Sequence, residues 1–507
     1  MRARDLKTLE LPLVLDAIAL LARSQAGQAV VRGLTPQRDA TVVGARLDRL
    51  TEMLDRTGQF GGPPTADVVL LDAILIAAAP EGAALETRQL AGVRDLLEVA
   101  RHVRTWILRD PDRTPQLRAL SQPLGGARGV AGSLNRTLDA RGLVRDDASP
   151  ALERARTLQR DLHAQIEAKL MRLVRDPALR HVIRDDYVTL RNGRFVVPVR
   201  ASQPNAIPGV VLDRSWSDET VFVEPLFAVE LNNRLLLAAK EGEIEEHRVR
   251  AELTSLIRDD APTLAAAEDA LAIIDGLAAA AAFAVAHRCT RPRVGGDSID
   301  LRAVRHPLLL APGRTVVPSD LGLRPDQRGL AITGPNAGGK TVALKTLGLC
   351  VLMAQAGLYI PADDGSTIPL CSAVLADIGD EQSIAHDLST FTAHATNLAA
   401  IAEAAAPDSL VLLDEPGAGT DPVEGAALAI GVLTDLLERG ARVVFTTHFV
   451  HIKTFALSEP RLEVAAFDID PSTGTPTFRL VYRTVGRSFA LPIARRHGVP
   501  EIGRAHV

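Results

Sequence analysis

The sequence is poor in aromatic residues and carries no large excess of charge of either sign. Aromatic side chains make up 3% of the 507 residues, so Leu, Ala and Val must build the cores, as is typical of helical proteins. The formal net charge of −5 provides no global basic field, so any nucleic-acid surface must be a local patch. At roughly 100–200 residues per domain, the length predicts three or four domains.

Cysteine is also scarce, and long apolar runs are missing. Cys289, Cys350 and Cys371 lie far apart and form no CxxC pair, which argues against a structural metal site and favours a reducing compartment. The N-terminus does not resemble a signal peptide. The most apolar stretch, residues 271–287, contains Asp275 and falls short of the roughly 20 residues that a membrane span needs. We therefore expect a cytoplasmic protein without a membrane partner.

Two long, highly charged helical runs dominate the middle of the chain, at about residues 148–182 and 226–287. They bracket a segment at about residues 185–225 that is rich in Val, Phe and Thr. Within it, Asn192-Gly193 stands between two β-prone runs and predicts a hairpin. The pattern therefore predicts an antiparallel helical arm with a small β element at its far end.

The chain divides into three parts by pattern. Residues 1–135 alternate helical periodicity with short breakers, and residues 136–295 contain the long helices and the β insert. In residues 296–507, β-prone segments alternate with helices, which predicts a largely parallel sheet with crossovers. The expected fold class is thus multidomain, with a helical region and its small β-containing insert followed by an α/β domain.

A phosphate-binding loop follows the apolar strand GLAIT and precedes the helix TVALKTLGLCVLMA. Its glycines let backbone N–H groups curl around a β-phosphate at a helix N-terminus, whose dipole favours anions. Lys340 is predicted to reach the β- and γ-phosphates, and the Thr341 hydroxyl to bind Mg²⁺. A glycine-rich turn without function is the alternative, and the complete motif between strand and helix argues against it. The predicted ATP-binding residues are Gly334, Pro335, Asn336, Ala337, Gly338, Gly339, Lys340 and Thr341.

Two carboxylates end a later apolar strand, SLVLLDEP. Asp414 is predicted to hold the magnesium ion through water, and Glu415 to orient and polarise the attacking water. Buried strands also end in Asp at ordinary turns, but the phosphate-binding loop upstream favours catalysis. His448, at the end of the strand RVVFTTHF, is predicted to contact the γ-phosphate or the attacking water rather than to be a structural histidine. The predicted catalytic residues are Lys340, Glu415 and His448.

A serine-bearing helix start lies between these motifs. In HDLSTF, Ser389 or Thr390 is predicted as the N-cap of the helix TAHATNLAAIAEA. In ABC ATPases a serine-bearing helix start from the opposite subunit closes on the γ-phosphate. The motif therefore predicts an ABC-type P-loop ATPase domain and a homodimer with ATP between its two chains. The alternative is an ordinary helix cap, and the position just before the DE-bearing strand favours the first interpretation.

Taken together, these motifs resemble the MutS family. GPNAGGKT, DIGDEQSIAHDLSTFTAHATNL, LVLLDEPGAGTDPVEGAALA and FTTHF resemble its four ATPase motifs, and His306-Pro307 and the terminal GRSFALPIARRHGVPEIGRA fit the same pattern. YVTLRNGRFVVPVRA and IPGVVLDRSWSDETVFVEP resemble the clamp insert of the MutS-two branch. The resemblance implies core and lever helices in residues 1–135 and in the two long helical runs, and a clamp at residues 185–225.

The chain departs from the family pattern at both ends. Its first residue already lies in the lever region and no Phe-x-Glu wedge stands near the start, so we expect no mismatch recognition. Members of the MutS-two branch usually continue into a small MutS-related nuclease domain, whereas this sequence stops after the ATPase region. We therefore expect no nuclease activity from the chain as given.

The resemblance implies an ATP-dependent homodimeric clamp with ATP and Mg²⁺ as cofactors. Its target would be branched DNA, with suppression of homologous recombination, or stalled and collided ribosomes, with contact to rRNA; the sequence does not choose between them. Some arginines of the insert could contact phosphates, and the alternative is a solvated β face. These nucleic-acid candidates are Arg191, Arg194, Arg200 and Arg214.

Two other classes of ATPase are alternatives. The chain could be the nucleotide-binding subunit of another ABC-type machine that binds no nucleic acid, but DLSTF stands where transporters have a glycine-rich signature. A coiled-coil ATPase of the chromosome-maintenance type would carry its arm between the phosphate-binding loop and the DE motif. Here the helical arm precedes both motifs, which argues against that class.

Overall fold

A computed structural model of the chain describes residues 2–66, 69–310, 316–334, 339–379, 390–470 and 475–485. The α-helices in this part are α1 (Ala3–Thr8), α2 (Leu11–Ala19), α3 (Gln25–Arg32), α4 (Ala40–Phe60), α5 (Leu71–Ala78), α6 (Thr87–Ile107), α7 (Pro115–Leu120), α8 (Arg128–Thr137), α9 (Pro150–Val174), α10 (Leu226–Asp259), α11 (Ala261–Ala286), α12 (Lys340–Gln355), α13 (Thr390–Ala404), α14 (Pro422–Glu438) and α15 (Val450–Ser458). The strands are β1 (Thr189–Arg191), β2 (Arg194–Arg200), β3 (Gly209–Arg214), β4 (Thr220–Pro225), β5 (Arg293–Val294), β6 (Ile299–Val304), β7 (Ser319–Leu323), β8 (Gly329–Thr333), β9 (Thr367–Ile368), β10 (Val374–Asp377), β11 (Leu410–Leu413), β12 (Arg442–Thr447), β13 (Leu462–Ile469) and β14 (Pro476–Tyr482).

The chain forms two compact units. One consists of residues 1–67, 103–122 and 269–507, and the other of residues 68–102 and 123–268. These units do not coincide with the three predicted domains, because residues 1–135 contribute to both of them. The predicted boundaries after residues 135 and 295 therefore stay predictions.

A six-stranded sheet, here called the main sheet, forms the centre of the first unit. Its strand order is β10-β11-β12-β8-β13-β14, with all neighbours parallel except the antiparallel pair β13 and β14. Every residue of β8, β11 and β12 is buried, which explains why these strands are mostly apolar and do not alternate between apolar and polar residues. The prediction of a largely parallel sheet is confirmed. The carboxyl ends of its strands meet at one edge, where ligands bind in open α/β sheets.

In the second unit, α9 and α10 pack side by side and run antiparallel. Ser149 caps α9 by accepting from Leu152 N, and Pro150 takes the first helical position, where its missing N–H costs nothing. The Gln159 side chain donates to Ala238 O at 2.8 Å across the pair. The predicted helical arm is confirmed in this part. The run predicted at residues 226–287 is, however, two helices, because Pro262 fits only in the first turn of a helix and so starts α11.

Between α9 and α10 lies a four-stranded antiparallel sheet, here called the insert sheet, with the order β1-β2-β4-β3. Asn192 and Gly193 connect β1 to β2 with φ values of 52° and 73°, the positive pair that a tight hairpin turn requires. The β element and its hairpin are therefore confirmed, while its role as a clamp stays a prediction. Apolar side chains of the sheet and both helices share one core, which includes Leu162, Ile166, Val197, Val199, Val221, Val223 and Leu231.

Helix α11 differs from what the sequence predicted. It contains 26 residues, and by length and composition alone it could cross a membrane. The sequence-based expectation that this stretch is too short was therefore wrong. In the structure, 61% of its most apolar window is buried within the fold, as for a core helix.

All three cysteines are free in the structure. Burial raises the pKa of the Cys289 and Cys371 thiols to about 12 and that of Cys350 further still. These thiols are therefore protonated and unreactive at neutral pH. The reducing compartment stays a prediction.

Candidate active site

The candidate site begins where β8 ends and α12 starts. Gly334 and Gly339 have φ values of 131° and 94°, which L side chains rarely adopt, and α12 begins directly afterwards at Lys340. The N-terminus of this 16-residue helix is thus presented at the carboxyl edge of the main sheet. Of the predicted ATP-binding residues, Gly334, Gly339, Lys340 and Thr341 are described. The other four, at positions 335–338, lie outside the described residues.

Lys340 is almost completely buried, with 2% of the residue exposed. Its Nζ donates to the Gly334 carbonyl oxygen at 2.9 Å and to Glu415 Oε1 at 3.0 Å. The structure thus brings two predicted catalytic residues together, although 75 positions separate them in the chain. The ammonium that is predicted to meet phosphate oxygens is held by the carboxylate that is predicted to orient water.

A second set of hydrogen bonds surrounds Asp414. The Thr341 hydroxyl donates to Asp414 Oδ2 at 2.7 Å, and the Thr446 hydroxyl donates to Asp414 Oδ1 at 2.5 Å. The Thr446 hydroxyl also accepts from the Glu415 backbone N–H at 2.9 Å. One carboxylate and one hydroxyl side by side fit Mg²⁺, which usually binds one or two protein oxygens together with water and nucleotide phosphates.

Thr446 was missed by the reasoning from sequence. It is fully buried on β12, and its hydroxyl bonds to both of the carboxylate-bearing residues that directly follow the neighbouring strand β11. The available signal was the pair of threonines in FTTHF, at a strand position where an apolar residue would otherwise be expected. The neighbouring Thr447 hydroxyl accepts from Phe449 N at 3.1 Å and so shapes the turn after β12.

Glu415 has a strained backbone and a shifted pKa. Its φ is 49°, an unusual value for a residue with a side chain, and such strain clusters at functional sites. Burial alone raises the pKa of the carboxyl, but the hydrogen bond and charge of Lys340, together with His448, outweigh burial and lower it. The carboxylate therefore stays ionised at neutral pH and loses its charge only as the pH falls through this lowered pKa. His448 Nδ1 lies 3.2 Å from Glu415 Oε2, so the third predicted catalytic residue also joins the site.

Two glycines allow the segment after Glu415 to fold back onto α14. A Cβ added to Gly425 would lie 2.1 Å from the Gly417 carbonyl oxygen, and one added to Gly417 would lie 2.2 Å from the Gly425 carbonyl oxygen. Asp421 starts the helix by accepting from the backbone N–H groups of Val423 and Glu424. In the segment GAGTDPVEG, a larger residue at position 417 or 425 would therefore clash with the backbone of the other position.

A buried carboxylate at the end of β10 adds a further group that the sequence analysis did not select. Asp377 accepts from the Asn397 side chain at 2.7 Å, and its other oxygen lies 2.9 Å from His394 Nδ1. Its backbone carbonyl oxygen accepts from Asp414 N at 2.8 Å. Asp377 thus joins the first turns of α13 to the strand that carries the magnesium candidate.

The predicted helix start near Ser389 is only partly described. The first described residue of helix α13 is Thr390, so the helix start that HDLSTF predicts stays a prediction. Ser389 and the Thr390 side chain lie outside the described residues, so the N-cap and the contact in trans stay predictions.

The amino terminus of the chain packs against the same edge of the main sheet. Asp5 is fully buried, and its Oδ1 accepts from the Ala376 backbone N–H at 3.1 Å. The Arg2 guanidinium holds both oxygens of this carboxylate, at 2.6 and 2.7 Å. Helix α1 therefore helps to hold β10, the strand that ends at Asp377, in place.

A cavity of about 340 Å³ lies beside Gly339 and the first turns of α12. Apolar side chains form most of its wall, including Val304, Val316, Leu321, Val342, Phe467 and Phe478. His306 also lines it; this side chain is 5% exposed, and among the described residues neither ring nitrogen has a hydrogen-bond partner. A mostly apolar pocket with few polar groups, next to a phosphate-binding helix start, fits the base of a nucleotide.

The candidate arginines of the insert sheet fall into two pairs. In the first pair, Arg191 lies 3.1 Å from Asp213 and covers the ring of Phe222, and Arg194 donates to Glu224 at 2.8 Å. The Glu224 side chain is 3% exposed, so Arg194 neutralises a buried charge. These two arginines have structural partners.

The second pair is more available to a ligand. The Arg214 side chain is 62% exposed and makes an exposed ion pair with Asp218 at 3.4 Å, a type that contributes little stability. Arg200 is exposed, and no ion pair to it is found in the described part of the chain. Contact with nucleic acid stays a prediction for all four candidates.

Comparison with known proteins gives one consistent family. Residues 330–506 match the family described as MutS domain V. Over its whole length the chain is similar to proteins called endonuclease MutS2. It is 40% identical to the one from Solidesulfovibrio magneticus, aligning 99% of the chain with 65% of that protein. It is 39% identical to the one from Pelotomaculum thermopropionicum (99% and 63%) and 41% identical to the one from Symbiobacterium thermophilum (98% and 62%). The chain thus spans a little under two thirds of the length of these relatives.

Proposed function

Because this chain belongs to the MutS family and is of the MutS2 type, we propose that it is an ABC-type ATPase that works as a homodimeric clamp on nucleic acid. The observation that carries the ATPase part is the hydrogen-bonded set at the edge of the main sheet. Lys340, Thr341, Asp414 and Glu415 come from two separate motifs, yet their side chains are linked pairwise at 2.7–3.0 Å. A set of this kind can bind phosphate and magnesium and can position water.

The chemistry follows from these contacts. The phosphates of ATP would attract Lys340 away from Glu415, which would free the carboxylate to accept a hydrogen bond from the attacking water. Thr341 and Asp414 would hold Mg²⁺, which neutralises charge on the β- and γ-phosphate oxygens. His448 would hold the second Glu415 oxygen, and the cavity beside Gly339 would take the base.

The homodimer rests on the motif HDLSTF, which directly precedes the described part of α13. In an ABC-type dimer, this helix start of one chain would close on the γ-phosphate bound by the other chain. Asp377 contacts Asn397 and His394 of α13 and the backbone of Asp414. A movement of α13 during closure would therefore change the position of Asp414, the magnesium candidate.

The insert sheet would be the part of the clamp that contacts nucleic acid. Its position between the long helices α9 and α10 supports this role, as do the exposed Arg200 and Arg214. Branched DNA and the rRNA of stalled ribosomes are both candidate targets, and both would place the protein in the cytoplasm. Cleavage of nucleic acid is in the name of the relatives, and we do not extend it to this chain.

Glu415→Gln tests the ATPase and the dimer together. The amide keeps the size of the side chain but cannot accept a proton, so turnover should fall at least about a hundredfold while ATP stays bound. Light scattering during gel filtration should then show a dimer at saturating ATP. Glu438→Gln, at the exposed end of α14, is the matched control and should leave turnover unchanged.

A monomeric Glu415→Gln protein at saturating ATP would contradict the homodimeric site. Crosslinking of the same variant in cells then identifies the target, since rRNA or branched DNA should co-purify with it. If neither nucleic acid is recovered above the level of Lys340→Ala, the protein is the subunit of an ABC-type machine that does not bind nucleic acid.

A further inference from the structure

Trp216 lies at the tip of the hairpin that joins β3 to β4, and it is 91% exposed. The chain contains two tryptophans, and the other, Trp106, is buried at 4% exposure. Burial of a tryptophan removes 150–250 Å² of largely apolar surface from water, as an order of magnitude. In a chain with 3% aromatic residues, the insert sheet thus presents its largest side chain to solvent.

Hydrogen bonds close the hairpin on both sides of Trp216. Ser215 N donates to the Thr220 carbonyl oxygen at 2.8 Å, and Thr220 N donates to the Ser215 hydroxyl at 3.1 Å. Asp218 N donates to the Ser215 carbonyl oxygen at 3.0 Å, with Asp218 at a φ of 56°. The ring is therefore presented by an ordered turn, so a ligand would bind it with little loss of backbone entropy.

The two available arginines lie at the same end of the insert sheet as this ring. Arg214 precedes Trp216 by two residues, and Arg200 stands directly across the sheet from Thr220, the residue that closes the hairpin. Arg191 and Arg194, which have structural partners, flank the turn between β1 and β2 at the other end, although the Arg191 guanidinium reaches Asp213. Exposed cations and an exposed aromatic ring therefore occur together at one end of the sheet.

The charge around Trp216 is only slightly positive. Arg184, Arg191 and Arg214 pair with the carboxylates of Glu219, Asp213 and Asp218, and Arg200 adds a fourth positive charge. Electrostatic attraction of phosphates is therefore weak at this tip, and the flat ring must supply most of the affinity. Stacking of bases on aromatic rings, supported by a few arginines, is the usual way in which proteins bind unpaired nucleic-acid strands.

We propose that Trp216 stacks on an unpaired nucleobase, while Arg200 and Arg214 contact the flanking phosphates. This inference rests on the proposed nucleic-acid function and adds the class of ligand, a strand with unpaired bases rather than continuous duplex. In a duplex the faces of each base are covered by its neighbours, so a side chain at a hairpin tip does not reach them without unstacking the helix.

The pair of tryptophans allows a direct test. In a Trp106→Phe protein, Trp216 is the single tryptophan and its fluorescence reports the tip alone. The replacement is mild, because the Trp106 ring nitrogen has no hydrogen-bond partner in the described structure and the ring packs near Arg56, as phenylalanine would. Oligo-dT, oligo-U and a DNA duplex of the same length are titrated at one salt concentration. Oligo-dT or oligo-U should quench the emission, and the duplex should leave it unchanged.

Binding of a fluorescein-labelled forked DNA, followed by anisotropy, is the independent measurement. Trp216→Ala should weaken binding of the fork about five- to hundredfold, the range for loss of one stacked base. Trp216→Phe should restore most of the affinity, and binding of the duplex should be the same in all three proteins. The side chain is exposed, so the melting temperature should not change.

Failure of the inference and failure of the proposed function give different results. If the fork binds to Trp106→Phe but Trp216 emission does not change, and Trp216→Ala binds as tightly, stacking is excluded and nucleic-acid binding remains. If neither fork nor oligonucleotides bind, both proposals fail. A change of Trp216 emission with RNA-free ribosomal proteins, and none with oligo-U or oligo-dT, would overturn the inference in favour of a protein partner.

Discussion

The main sheet and the insert sheet both carry polar side chains at one end, but they hold them differently. At the edge of the main sheet, Lys340, Asp414 and Glu415 lie in a buried network in which each has a side-chain partner of fixed geometry. At the tip of the insert sheet, Trp216 and Arg200 stand in solvent. The first arrangement suits a reaction that needs exact positions, and the second suits a surface that must accept many strands.

This difference predicts how each region responds to change. In a buried network, removal of one group leaves another without its partner in a dry environment, so the effect is large and the changes are not additive. At an exposed tip, each group contributes separately, and solvent replaces what is lost. Variants at the edge of the main sheet should therefore cause large losses of turnover. Variants at the tip of the insert sheet should cause smaller losses of affinity.

The largest effect is expected for Lys340→Ala. The change removes the cation for the phosphates and leaves Glu415 half-buried without its ion pair, so ATP hydrolysis should fall about a thousandfold or more. Steady-state phosphate release and binding of a fluorescent ATP analogue measure it. Lys240→Ala, an exposed lysine of α10, is the control and should hydrolyse ATP at the original rate. Substantial turnover in the Lys340 variant would show that the site is misassigned.

Gly425→Ala should have the next largest effect. Its Cβ would meet the Gly417 carbonyl oxygen at 2.1 Å, so the loop after Glu415 must move, at a cost of roughly 2–4 kcal/mol. Gly431→Ala, in the same helix, has nothing within 4 Å and should stabilise the protein by about 0.5–1 kcal/mol. Urea unfolding of the two variants compares them. Equal stabilities would contradict the close approach of the two glycines.

Thr446→Val is expected to be intermediate in effect. It keeps the shape of the side chain but removes the hydroxyl that joins Asp414 to the Glu415 backbone, so kcat should fall roughly ten- to hundredfold. Thr446→Ser restores the hydroxyl and should recover most of the rate. Single-turnover kinetics at saturating ATP measures both. If serine and valine are equally slow, the methyl group rather than the hydroxyl is what matters.

In the insert sheet, two arginines should separate stability from binding, and Arg200 should have the smallest effect. Arg194→Ala leaves buried Glu224 without its counter-charge and should lower unfolding free energy by roughly 1–3 kcal/mol. Arg200→Ala should leave stability unchanged but weaken binding of single-stranded DNA a few-fold. It should also reduce the slope of log affinity against log salt by about 0.7. The opposite pattern would mean that Arg200 is structural and Arg194 contacts the ligand.

Much of the fold was predictable because the relevant signals are local. The strand GLAIT, the glycines after it and Lys340 follow one another in sequence, and Asn192-Gly193 specifies its own turn. The residues that were missed act over long distances. The Thr446 hydroxyl reaches Asp414 and Glu415 only because β12 pairs with β11. Asp377 likewise acquires its hydrogen bond from Asn397 only when α13 packs beside β10.

The arginines of the insert sheet differ in their ion-pair partners, which the sequence does not reveal, so their availability to a ligand could not be predicted. The four candidates Arg191, Arg194, Arg200 and Arg214 are the same residue type. Only the pairing of β1, β2, β3 and β4 decides which carboxylates lie near each of them. The division of the chain into two units was also not predictable, because residues 1–135 contain no break that shows which helices return to the main sheet.

The contact between Asp5 and Ala376 has a consequence for the order in which the protein is made. Ala376, in the strand that Asp5 contacts, is synthesised 371 residues after Asp5. At 5–20 residues per second, the amino-terminal helix waits about 20 to 70 s for it. The unit with the insert sheet ends at residue 268 and can fold during that interval. The main sheet is therefore completed after this unit, and a nascent chain should acquire its arm before it can bind ATP.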